Sequence, residues 1–181
     1  MRSAPIHAGD IAGVVVTAPA IHIDKVDVGE VSLKPGLLFE HWRHDRPGMP
    51  SEIKQITITL AHKGAVKNFH YHGIQWDIWC VQTGTAKVVL RDLREDSPTF
   101  LATMEIYCGL RNWKLIAIPP GVAHGYKVLS NEPCMLAYAT TETYNPSDEG
   151  RYDPDDPRMA YDWNAVGVDA DPAETIISRE V

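Results

Sequence analysis

The chain has 181 residues, 44% of them apolar, and a formal net charge of −7, which is enough for one well-buried core and short for two domains. Acidic side chains outnumber basic ones, 24 against 17, which excludes the Lys/Arg-rich surface that nucleic-acid binding depends on. Three widely spaced cysteines, Cys80, Cys108 and Cys134, fit neither a disulfide framework nor a zinc knuckle and point to a reducing cytoplasm.

Taken in order, the segment IAGVVVTAPA has the apolar core of a short signal peptide, but Asp10 precedes it and only Arg2 adds basic charge, so a non-secreted chain is expected. No apolar run has the length of a membrane-spanning helix. Val14 to Ala18 and Ile21 to Val28 read as short strands, and Leu37 opens another that ends in a charged loop. IKQITITLAH alternates, with Ile56, Ile58 and Leu60 expected on the core side and Gln55, Thr57 and Thr59 facing something polar. TAKVVLRDL, ATMEIY, KLIAIP, AHGYKVLS and CMLAYATT follow, separated by turn signals. Short strands at this spacing, with no amphipathic helix before residue 145, predict an all-β sandwich or barrel. Asn145 to Pro157 reads as an ordered loop or a linker, AYDW as a segment that packs back onto the domain, and Pro172 to Arg179 as a short helix in a tail. The expected organisation is one domain over 1–163 and a C-terminal tail over 164–181.

The densest chemistry lies in GAVKNFHYHGIQWDIWCVQTG, Gly64 to Gly84, which reads as a strand, a polar corner and a returning strand. Residues i and i+2 of a strand share a face, so His70 and His72 stand side by side. Asp77 follows five residues later, and His124 lies in IPPGVAHGY. Three imidazoles and a carboxylate suit iron, manganese, nickel or zinc. The same groups can instead act directly on a substrate, or simply pack. The spacing resembles the first motif of the cupin superfamily with aspartate in place of glutamate, and Pro119, Gly121 and His124 resemble part of the second.

A second resemblance covers Leu37 to Trp163. DLREDSPT, IPPGVAHGYKVLS, LAYATTETYNPSDE, DDP and YDW, in this order, resemble the dTDP-4-dehydrorhamnose 3,5-epimerase family. That resemblance implies a cupin-type β jelly roll (double-stranded β-helix), a homodimer, a nucleotide-sugar substrate and catalysis without metal or other cofactor. It implies that His70 is the general base, that Asp156 orients it, and that Tyr138 returns a proton from the opposite face. Gln55, Lys67, His124 and Tyr144 fall at positions that meet the substrate. Trp76 and Trp79 are the tryptophans expected to stack on a sugar or base.

The chain departs from the family where the enolate oxygen would be stabilised. An arginine of the family is Lys67 here, a glutamine is His72, and a lysine falls on Asp77. An aspartate opposes a developing oxyanion by like charge. One alternative is therefore a metal-dependent cupin, an isomerase or dioxygenase, with Fe, Mn, Ni or Zn held by His70, His72, Asp77 and His124. Another is a catalytically silent sugar-binding module.

Overall fold

The computed structural model of the protein describes residues 11–23, 37–152 and 156–165. The expected helix at Pro172 to Arg179, and most of the tail, lie outside them. Among the described residues the chain forms strands and no helix, as the spacing of turn signals predicts.

The strands are β1 (Val15–Thr17), β2 (Ile21–Ile23), β3 (Leu37–Phe39), β4 (Gln55–Ala61), β5 (Val66–His72) and β6 (Asp77–Thr83). They continue as β7 (Thr85–Asp92), β8 (Thr103–Gly109), β9 (Leu115–Ile118), β10 (Val122–Val128), β11 (Cys134–Thr140) and β12 (Glu149–Gly150). Two antiparallel five-stranded sheets, ordered β1-β9-β6-β11-β4 and β12-β5-β10-β7-β8, form the jelly roll, and β2 pairs with β3 apart from them. β5 and β6, consecutive in sequence, belong to opposite sheets, so the corner between them brings side chains from both sheets to one interior.

That interior is apolar at one end, where Val88, Leu90, Met104, Ile116, Val122 and Leu136 are buried. Both outer faces are covered in part. Trp42, Met49, Ile53 and Trp76 pack over Ile78, Ala117 and Ala139 on the first sheet. Tyr152, Met159, Tyr161 and Trp163 pack over Phe69, Val89 and Ala123 on the second. The AYDW segment thus packs back as its composition suggests. Buried Lys87 donates to the carbonyl of Ala165 at 2.6 Å, so the packed segment runs beyond residue 163.

One expectation is reversed. Ile56, Ile58 and Leu60 are 67%, 60% and 57% exposed, while Gln55, Thr57 and Thr59 point inward. Alternation identifies two faces of a strand but not which one is covered. Here β4 is the edge of its sheet, and its inward face meets a polar interior.

The DLREDSPT run is structural. Asp92, fully buried, accepts hydrogen bonds from Arg94 (2.8 and 2.9 Å), Ser97 (2.6 Å) and Thr99 (2.6 Å). Arg94 also donates to the carbonyl of Ala12 at 2.6 Å, tying the N-terminal segment to the β7–β8 loop. Burial alone would push the Asp92 carboxyl up, but Arg94, Ser97 and Thr99 bring it from 3.8 down to about 2. Its stabilising contribution is therefore complete above the unfolded value and is lost as pH falls through the folded one. Asp92→Asn is expected to lower the unfolding free energy by about 2–3 kcal/mol near neutral pH. In urea titrations its gap to the wild type should close as pH drops from 3.8 toward about 2; a gap independent of pH would contradict this account.

Candidate functional site

The site is built at the polar end of the interior. His70 on β5 lies directly opposite His124 on β10, and the register shifts between His124 and Tyr126 so that Tyr126 pairs with Lys67. Paired residues share a face, so this bulge turns Lys67 toward the same side as His70, at the exposed end of β5. Gly125 sits at the irregularity because a Cβ there would lie 2.5 Å from the Lys67 carbonyl oxygen and 3.1 Å from Trp163. The first sheet supplies Asp77, the first residue of β6, paired with Ile118 and Thr140. Gly84, at φ +66°, turns β6 straight into β7 where a Cβ would meet Ser130 at 2.7 Å.

These strands bring four predicted residues together. One donor atom from each of His70, His72, Asp77 and His124 lies within 4.8 Å of all the others. Asp77 and His124 are each 2% exposed and His72 8%, while His70 is half-buried. Imidazole rings pack at 4.2 Å between His70 and His124 and 5.3 Å between His70 and His72.

A buried carboxylate must be compensated, and Asp77 is: its oxygens accept from Gln75 Nε2 at 2.7 Å and from Trp79 Nε1 at 2.9 Å. Burial would raise its pKa, yet the imidazoles of His124 and His72 and the Trp79 N–H hold it below the usual carboxylate range. His124 Nε2 lies 3.5 Å and His72 Nε2 3.9 Å from this carboxylate. His124 Nδ1 faces the carbonyl of Val122 at 2.9 Å; a carbonyl only accepts, so Nδ1 carries a proton. His124 Nε2 is then buried with no hydrogen-bond partner. Burial chiefly, with His124 and His72 adding to it, lowers the His70 pKa to about 3, which keeps that imidazole neutral at neutral pH and makes it a weaker proton acceptor than a free imidazole.

Facing His70 from the other sheet is Tyr138, opposite Trp79 in the β11–β6 register. The Trp79 ring lies 6.3 Å from both His70 and Tyr138. Burial raises the Tyr138 pKa, with Thr57 hydrogen-bonded to it working the other way. Thr57 accepts from Gln55 Nε2 at 2.9 Å, and Gln55 Oε1 accepts from the Tyr144 N–H at 3.0 Å. Gln55, Tyr138 and Tyr144 are thus joined through the inward face of β4.

Asp156 is not part of the cluster. It opens a turn, accepts the Arg158 backbone N–H at 2.9 Å and pairs with the Arg158 guanidinium at 2.7 Å. No hydrogen bond or ion pair joins it to His70 among the described residues. Asp77 is the carboxylate that acts on His70. Trp79 is buried against the imidazoles rather than open for stacking, whereas Trp76 lines a cleft of about 460 Å³ with Met49, Glu52, Lys54 and Glu142.

Sequence reasoning missed Asp148. Its carboxylate accepts the N–H groups of Gly73, Ile74 and Gln75 at 2.9, 3.0 and 3.1 Å, and its Oδ2 lies 3.9 Å from His72 Nδ1. It fixes the corner between β5 and β6 from within a run that reads as a linker. The turn composition of NPSDE, with its single Asp, was the available signal, but only the β12–β5 pairing aims it at His72.

Comparison with known proteins gives concordant results. The sequence profile described as dTDP-4-dehydrorhamnose 3,5-epimerase matches residues 9–180. The spore coat polysaccharide biosynthesis protein SpsL of Bacillus subtilis is 46% identical over 128 residues, 70% of this chain and 85% of that protein. The epimerase Agl13 of Haloferax volcanii, described as a probable low-salt glycan biosynthesis enzyme, is 32% identical, with 81% of this chain and 97% of that protein covered. Among solved structures, the 3,5-epimerase RmlC of Legionella pneumophila, in complex with dTDP-4-keto-L-rhamnose, superposes with a TM-score of 0.73 at 27% identity, covering 88% of this chain and 82% of that one.

Trp79→Phe removes one of the two N–H donors to a buried carboxylate and leaves the ring volume nearly filled. The expected cost is about 1–3 kcal/mol, read from denaturant unfolding; an unchanged midpoint would show that Asp77 does not depend on the indole.

Proposed function

The chain belongs to the dTDP-4-dehydrorhamnose 3,5-epimerase family, and on that premise we propose that it epimerises a nucleoside-diphosphate 4-keto-6-deoxy-hexose. The reaction removes a proton from carbon beside the ketone and returns one from the other face of the ring. The observation that carries this reading is the placement of a neutral, buried-side imidazole on one sheet and a protonated phenol on the other, across a shared interior. His70 is the base, with burial keeping its nitrogen unprotonated and free to accept a proton. Tyr138 is the acid, kept in its protonated form by burial and positioned by Thr57. His124 and Trp79 line the space between them. Gln55, Tyr144 and Lys67 bind the substrate toward the rim, the first two held together by their hydrogen bond. Asp156 serves the turn it caps.

The protein acts in the cytoplasm as a homodimer. Its three free cysteines are all buried, which suits a reducing compartment. The apolar row Ile56, Ile58 and Leu60 lies on an edge strand, where uncovered apolar surface and unpaired backbone groups invite a second copy.

Two experiments test this. Incubated with a dTDP-4-keto-6-deoxy-hexose in heavy water, the wild type should wash deuterium into the carbons flanking the ketone. His70→Ala should lower that rate by about 10²–10⁴-fold, while Tyr138→Phe should retain exchange and lose inversion. Wild-type exchange in His70→Ala would remove His70 as base. Separately, Ile58→Glu should convert the dimer to monomer in sedimentation velocity; an unchanged sedimentation coefficient would place the contact elsewhere.

A further inference from the structure

We propose that His72, Asp77 and His124 bind a divalent transition-metal ion, with His70 standing beside it as the free base. This departs from the cofactor-free catalysis that the family resemblance implies. The ion's catalytic role rests on the epimerase reading above; its binding does not.

The first ground is the direction of the lone pairs. His124 carries a proton on Nδ1, against the Val122 carbonyl, so in the neutral ring the buried Nε2 presents a lone pair. That nitrogen has no hydrogen-bond partner and lies 3.5 Å from Asp77 Oδ2, a carboxylate oxygen that also presents lone pairs. A neutral imidazole and a carboxylate aimed at one another in a buried site repel unless positive charge joins them, either a second proton on the ring or a metal ion, and the metal titration below separates the two. His72 approaches the other oxygen of Asp77 through Nε2 at 3.9 Å, its Nδ1 being turned toward Asp148.

The second ground is size. Ligands held about 2.1 Å from one ion are about 3–3.4 Å apart, so the His124–Asp77 separation of 3.5 Å is already close and the His72–Asp77 separation of 3.9 Å is somewhat wider. The third is the outer layer. Gln75 and Trp79 fix Asp77, the Val122 carbonyl fixes His124, and Asp148 faces His72. Partners of this type orient metal-ligating side chains and set their tautomers.

Charge supplies the role. Enolate formation puts negative charge on the ketone oxygen, and the centre of this interior holds the Asp77 carboxylate, which opposes it. Two neutral imidazoles and one carboxylate around a divalent ion sum to a single positive charge, which would polarise the ketone instead. His70 is the least buried of the four and has no contact with Asp77 within 4.0 Å, which leaves it available for the proton.

The test uses the full-length protein, stripped with a chelator and titrated with Co²⁺ or Zn²⁺ alone, by calorimetry and by the visible absorption of bound cobalt. Wild type and His70→Ala should bind one equivalent. Asp77→Asn and His124→Ala should weaken binding on the order of 100-fold or more, and thermal melts should verify that each variant is folded. Because Asp77→Asn is nearly isosteric, it keeps the test decisive if His124→Ala fails to fold. Absence of stoichiometric binding by the wild type, or full affinity in folded Asp77→Asn, would overturn the site. A loss in His70→Ala as large as that in Asp77→Asn would overturn the three-ligand assignment. Metal binding without any deuterium wash-in on keto-sugars would count against the epimerase reading and leave the site standing.

Discussion

A carboxylate buried between two sheets is the constraint on which the polar end of this molecule depends. Removing an unpaired charge from water costs several kcal/mol, so Asp77 at 2% exposure requires compensation from every side. Gln75 and Trp79 supply N–H donors, His72 and His124 approach its two oxygens, and Asp148 fixes the corner that carries Gln75. The jelly roll makes this arrangement achievable, because the corner after β5 carries the chain from one sheet to the other within a few residues. His70 and His72 therefore arrive from one side and Asp77 from the opposite one.

The same arrangement separates the two groups proposed to handle protons. His70 and Tyr138 belong to facing sheets, each with its ring 6.3 Å from the Trp79 ring, so the proposed base and acid approach one interior from opposite sides. Their environments push them to complementary states, a neutral imidazole and a protonated phenol, chiefly through burial. At the centre of that interior stands a carboxylate, Asp77, where the family resemblance implies a lysine. A negative charge in its place makes sense once the carboxylate is a ligand rather than an electrostatic partner of the substrate.

Much of this is legible in the sequence where local geometry decides it. Period two places His70 beside His72, the flanking glycines mark the ends of the two strands, and regular turn spacing gives the all-β class. Legibility fails where the answer depends on what lies across a sheet. The pattern of β4 shows two faces but not that Ile56, Ile58 and Leu60 are the outward ones, because only the edge position reveals it. The bulge that brings Lys67 onto the His70 side of β5 has no residue of its own to announce it, apart from Gly125 on the partner strand. Asp156 carries the right motif, but a two-residue hydrogen bond to Arg158 is a local interaction that wins over a distant imidazole. Asp148 escapes notice for the opposite reason, as its importance comes entirely from the pairing of a two-residue strand.

The central claim is that proton transfer at His70 operates against an electrophile held by Asp77 and its two histidines. The most direct measurement is the rate of deuterium wash-in on a dTDP-4-keto-6-deoxy-hexose by chelator-stripped protein, before and after one equivalent of a divalent transition metal is returned. The account predicts slow exchange in the stripped protein and recovery on adding metal, with no recovery in Asp77→Asn. Full exchange by the stripped wild-type protein would contradict it.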